Sequence, residues 1–193
     1  MDYGRNMFES EFNENAEVEY WDKGSSHKDK CHEHKDIIFE CGIRPSDAFF
    51  EIDDGKVKEG QSFILDRLRI DLTCLKKPVV KLEFSSLIVF EAEDEKCPEH
   101  EVEVDLLFKL IRVCKGEKEL VQSWRYLYEI DVENKIDELE VEMSQPFTVT
   151  FCDKPNSEKY EYIMIVEGVD FEGEFDALRV VKPDLSAIAQ SQC

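Results

Sequence analysis

Apolar residues alternate with polar ones along most of this chain, and that period of two constrains its fold more than any other feature. In SFILDRLRIDLTCL, Ile64, Leu68, Ile70, Leu72 and Cys74 share one face, while Arg67, Arg69, Asp71 and Thr73 take the other. PVVKLEFSSLIVFEAE sets Val80, Leu82, Phe84, Ile88 and Phe90 against Lys81, Glu83 and Ser85. EVEVDLLFKLIRVC repeats the pattern with Val102, Val104, Leu106, Phe108 and Leu110, and ELVQSWRYLYEIDV groups Leu120, Trp124, Tyr126, Tyr128 and Ile130. Successive side chains of a strand point to opposite faces, so each stretch reads as an antiparallel strand with one core face and one wet face.

Turns at Lys76-Lys77-Pro78, at Glu95-Lys96-Cys97-Pro98 and at Lys115-Gly116-Glu117-Lys118 separate these strands. PFTVTFC, YEYIMIVEG and FDALRVVKPDLSAIAQ supply three more, and Pro183 belongs in a bulge or at an edge because it has no N–H to donate. NKIDELEVEM, residues 134–143, has a helix-forming composition but alternates Leu139, Val141 and Met143, which makes it a strand. The sum is about eight to ten strands and no amphipathic helix, an all-β antiparallel sandwich of jelly-roll type. Ahead of it, residues 1–34 are polar, acidic and aperiodic, with isolated aromatics at Tyr3, Phe8, Phe12, Tyr20 and Trp21. They read as a flexible N-terminal arm, leaving residues 35–193 as the sandwich domain.

Charge narrows the function. With 45 acidic and 24 basic residues the formal charge is −21, which repels phosphate backbones and anionic membranes. Nucleic acid is excluded as a partner, and so is membrane insertion by a helix, since no apolar run approaches the ~20 residues a span needs. The first 20 residues lack the apolar core of a signal peptide, so the expectation is synthesis and retention on the cytosolic side. No DxDxDG loop offers a calcium cage.

Catalytic constellations are missing from the pattern. There is no GxSxG elbow and no Gly-rich phosphate loop, and His100 is the one histidine beyond the arm region. The expectation is a protein that is not an enzyme and carries no cofactor. The cluster with most chemical character is KDKCHEHKDIIFECG, which places Cys31, His32 and His34 just ahead of an apolar run ending in Cys41. Cys31, His32 and His34 are the candidate metal ligands, since alternate residues of an extended segment point to one side. A cupin would continue HxH with a glutamate four or five residues on, whereas the next here is Glu40, so that match fails. Three readings stay open: a metal site, a covalent or docking tether, and the polar lead-in to a first strand. Cys97-Pro98-Glu99-His100 reads as a loop with incidental polar groups.

The seven cysteines contain no CxxC pair, so neither a zinc ribbon nor a thioredoxin motif is present. Cys74 falls on an inward face and reads as a small buried hydrophobe. Cys31, Cys41 and Cys193 are the candidates for intermolecular disulfides.

The stretch LRIDLTCLKKPVVKLEFSSLIVF, with FECG at residues 39–42, FCD at 151–153 and LSAIA at 185–189, resembles a poorly characterised β-sandwich family of clostridia and related spore formers. That family is in turn distantly similar to the jelly-roll subunits of bacterial endospore appendages, whose N-terminal connector reaches into a neighbour and is fixed by disulfides. The resemblance implies a self-assembling, non-catalytic structural protein of a spore surface or appendage. It also implies a connector at residues 1–35 with Cys31 as its tether. The alternative is a soluble sandwich that binds a carbohydrate or a metal ion in its end loops.

Overall fold

A computed structural model describes residues 37–94, 100–132 and 139–192. Of the two units into which the chain divides, 1–32 lies outside the described residues, as does the expected flexible arm, and 33–193 holds every described strand. The strands are β1 (Ile37–Cys41), β2 (Ala48–Phe49), β3 (Ile52–Asp53), β4 (Lys56–Val57), β5 (Ser62–Asp71), β6 (Pro78–Asp94), β7 (His100–Cys114), β8 (Glu117–Val132), β9 (Leu139–Asp153), β10 (Lys159–Glu172) and β11 (Glu174–Ser191). Three of the eleven are two-residue pieces, and β3 and β4 form a separate small hairpin whose Asp54-Gly55 turn takes φ of 52° and 75°. Both values are positive, as a two-residue hairpin loop requires.

One sheet runs β1-β11-β6-β9, with β2 also on β11; the other runs β5-β10-β7-β8. The eight longer strands therefore pair as nested couples: β7 with β8, β6 with β9, β5 with β10, β1 with β11, all antiparallel. This is one long hairpin wound around itself, which is jelly-roll wiring. Its apex is the two-residue turn Lys115-Gly116, with φ of 52° and 87°.

The inner faces interdigitate around Phe84, Phe90, Phe108 and Tyr162, each almost wholly buried. Phe108 of one sheet stacks on Phe147 of the other at 4.0 Å between ring centroids, and Phe90 meets Tyr128 edge-on at 5.1 Å. All inward positions expected for the stretches at 78–94 and 100–114 are buried as the alternation requires.

Two departures, at Ile64 and Leu120, have one physical origin. A bulge adds a residue and reverses which face the chain presents beyond it. In β5 the register on β10 steps from Asp66 to Ile64, so Leu65 enters the core and Ile64 is only half-buried. In β8 a step at Val121 does the same, leaving Leu120 43% exposed instead of inward. Cys74 is corrected too. Alternation ends with β5 at Asp71, the turn buries Leu72 and Leu75, and Cys74 faces solvent as a disulfide-bonded residue. Pro183 lies in a bulge, between Val181 and Asp184. Leu139–Met143 and PFTVTFC form one strand, β9, through Pro146; residues 134–138 lie outside the described set.

Candidate functional site

Cys31, His32, His34 and Cys193 fall outside the described residues. Cys41 closes β1 as an exposed free thiol. His100 is not in a loop: it opens β7 fully buried, with Nδ1 2.8 Å from the carbonyl oxygen of Asp94. The Asp94 carboxylate accepts the Glu101 N–H at 2.9 Å, so the pair pins the start of β7 to the end of β6. Residues 95–99 between them lie outside the described set. Among the described residues no three His, Cys, Asp or Glu side chains are grouped to hold a metal ion. None of the described helices, of which there are none, is long and apolar enough to cross a membrane.

Four strand edges bear on assembly. The outer face of β1 shows Ile37 and Phe39, 62% and 61% exposed, with Phe39 directly opposite Ile188, itself 46% exposed. The edge of β5 is partly covered, since Ile43 N–H donates to Arg67 O and Ser46 N–H to Leu65 O. On the far side β9 carries Pro146 opposite Leu87, which removes one donor from that edge. The β8 edge has neither proline nor glycine in its 16 residues, its one irregularity is the bulge at Val121, and among the described residues it pairs with β7 alone.

The two ends of the sandwich differ in charge. On the outer face of the first sheet Glu91 lies opposite Glu142, and Glu93 has Glu140 on one side and Glu174 on the other. The second sheet repeats the arrangement at the same end: Glu101 lies opposite Asp131, and Glu103 sits between Glu129 and Glu172. Like charges directly opposite destabilise a sheet. Burial, then the carboxylates of Asp170, Glu129, Asp105 and Glu101, raise Glu103 above its ordinary 4.5. A carboxyl raised on folding holds more protons in the folded state, so it detracts from stability as pH rises through its folded value. Glu103→Gln is therefore expected to raise the melting midpoint at neutral pH, and the gain should vanish in acid, where both forms are neutral. Melts of both proteins across that range check it; a gain independent of pH would mean that repulsion is not the cause.

The opposite end carries Lys76 and Lys77 in the turn after β5 and Lys154 after β9, all exposed and without ion pairs among the described residues. Lys77, Lys154, Asn156 and Gln192 line an open recess of about 370 Å³ there. Deeper at this end Arg112 of β7 and Tyr162 of β10 meet Asp153 of β9, at 2.7 and 2.8 Å, tying one sheet to the other. Cys114 donates to Glu158 at 3.1 Å; burial, then that carboxylate, push its thiol up and away from the reactive thiolate.

The opposed carboxylates escaped the sequence reading. EVEV at 101–104 and ELEVE at 138–142 do mark acidic outward faces, but which residue stands opposite which depends on register.

Residues 35–190 match the model of a family described as Domain of unknown function (DUF4489), and the chain belongs to that family. No curated protein matches it.

Proposed function

We propose that this member of the family is a non-catalytic structural protein that self-assembles through its N-terminal arm and its edge strands, on a spore surface or appendage. The observation that carries the reading is the β8 edge, 16 residues long and paired on one side only among the described residues. An edge of this kind is a template for pairing with a second chain, the mode called β-augmentation. Support comes also from β1, where the arm joins: Ile37, Phe39 and the free thiol of Cys41 stand together on its exposed face. The spore setting rests on the resemblance carried by FECG, the 71–88 stretch and LSAIA.

Negative-stain electron microscopy of the full chain, with and without reductant, beside a chain starting at Lys35, tests it. Among the described residues every buried core residue lies between Ala48 and Ala189, so the shorter chain keeps that core. Filaments or rings are expected from the full chain and not from the shorter one, and their loss under reductant would assign cysteine a tethering role. Uniform monomers in every condition would overturn the reading in favour of a soluble module for a carbohydrate or metal ion.

A further inference from the structure

We propose that copies of this chain stack end to end, with the glutamate-lined end of one sandwich seated on the lysine-lined end of the next. The inference rests on the assembly reading and adds to it the axis along which copies meet.

The two surfaces lie at opposite ends of the same strands. β6, 17 residues long, starts at Pro78 beside Lys76 and Lys77 and finishes past Glu91 and Glu93. At about 3.3 Å per residue the ends are roughly 50 Å apart. They cannot meet within one molecule, yet every copy offers both. At −21 two copies repel at long range, and association needs a contact where opposite signs face each other. The recess lined by Lys77, Lys154, Asn156 and Gln192 supplies the cations. Glu91, Glu140 and Glu142 supply the anions, around a smaller recess of about 50 Å³ along β6 and β9.

A second copy fits better than a bound cation, because no described group of carboxylates is arranged as a metal cage. Glu91 and Glu142, opposite each other on β6 and β9, also gain from such a partner, since a lysine placed between two like charges offsets their repulsion. The contact joins unlike surfaces, so unless rotation closes a ring it propagates as an open filament. Exposed charges more than ~10 Å apart are screened at 0.1 M salt, so stacking should weaken as salt is added.

Sedimentation velocity on the full chain tests the idea, using the double variants Lys77→Glu with Lys154→Glu and Glu91→Lys with Glu142→Lys. All four positions are exposed, and circular dichroism checks that each variant is folded. The wild-type chain should associate at low salt and dissociate on salt addition. Each variant alone should sediment as smaller species, and an equimolar mixture should recover association, since each reversed end then meets a reversed partner. Wild-type association insensitive to salt, variants that associate unchanged, a wild-type chain monomeric at low salt, or a mixture that fails to recover would each overturn the proposal. The variants keep the arm and β8 intact. Arm-dependent assemblies that ignore charge reversal would therefore sink end-to-end stacking while leaving the arm and edge reading in place.

Discussion

Replacing Gly42 by alanine will destabilise the fold by about 3 kcal/mol, a figure set by overpacking together with loss of hydrogen bonds to a charged acceptor. Gly42 follows β1 and passes directly over Asp66, which is 1% exposed. A Cβ at residue 42 would stand 1.8 Å from Asp66 Oδ2 and 2.5 Å from Cγ, so the carboxylate would have to leave. It is not free to move. Oδ1 accepts the N–H groups of Arg44 at 3.2 Å and Arg67 at 2.7 Å, and Oδ2 accepts that of Leu185 at 3.1 Å. One buried side chain thus holds the segment after β1, the bulged part of β5 and the start of the last stretch of β11. Asp66→Ala should be as harmful, by leaving those donors unsatisfied. The double variant should fall short of the sum by about 1 kcal/mol or more, since without the carboxylate the new methyl meets no obstacle. Urea unfolding of the four proteins makes the cycle. For a chain of this size each kcal/mol shifts the melting midpoint by roughly 2–4 °C, so the single variants should melt about 6–12 °C lower. A Gly42→Ala protein within about 0.5 kcal/mol of wild type would show that the carboxylate is not fixed.

That contact illustrates what the sequence does and does not disclose. FECG stands out as a motif, but its glycine is explained by a residue 24 positions away, and no local pattern links the two. Alternation does disclose the inner faces of β6 and β7 completely, because long strands without bulges keep their phase. It fails at Ile64 and Leu120, where a bulge inverts the phase without any glycine or proline to mark it. Cys74 departs for a related reason: the polar–apolar alternation runs on through LTCL, while the hydrogen-bonded ladder stops at Asp71. The opposed glutamates are half legible. Their outward direction follows from their neighbours, but their confrontation needs the nested pairing of β6 with β9 and β7 with β8. Cys31, His32 and His34 lie outside the described residues, and the arm reading rests on composition and resemblance alone.

Asp153→Ala is expected to have the largest effect of all, about 3–5 kcal/mol, the range for removing one partner of a buried ion pair. Asp153 is 8% exposed at the end of β9, and its Oδ2 accepts both from Arg112 across the sandwich and from the hydroxyl of Tyr162, itself fully buried. Its Oδ1 accepts the Lys154 N–H at 2.8 Å, which turns the chain out of β9. Truncation would strand a guanidinium whose remaining carboxylate, Glu119, lies towards solvent, and whose carbon sits 5.6 Å from the Tyr160 ring centroid. The harm should come from the stranded charge and not from lost attraction. Arg112→Met combined with Asp153→Leu should therefore recover most of the stability, since well-packed apolar replacements of such a pair are often neutral. Tyr162→Phe should lose about 1 kcal/mol at neutral pH, one hydrogen bond's worth. It should also change the alkaline limb. Burial, then Asp153, raise the Tyr162 hydroxyl above its ordinary 10.0. A group raised on folding gives stability that is complete below its unfolded value and is lost as pH climbs beyond it. The wild-type protein should accordingly weaken above pH 10.0 more steeply than Tyr162→Phe, as measured by urea midpoints at rising pH. If Asp153→Ala proves no worse than Tyr162→Phe, the carboxylate acts only as the tyrosine's acceptor and the two sheets are held at this end by packing alone.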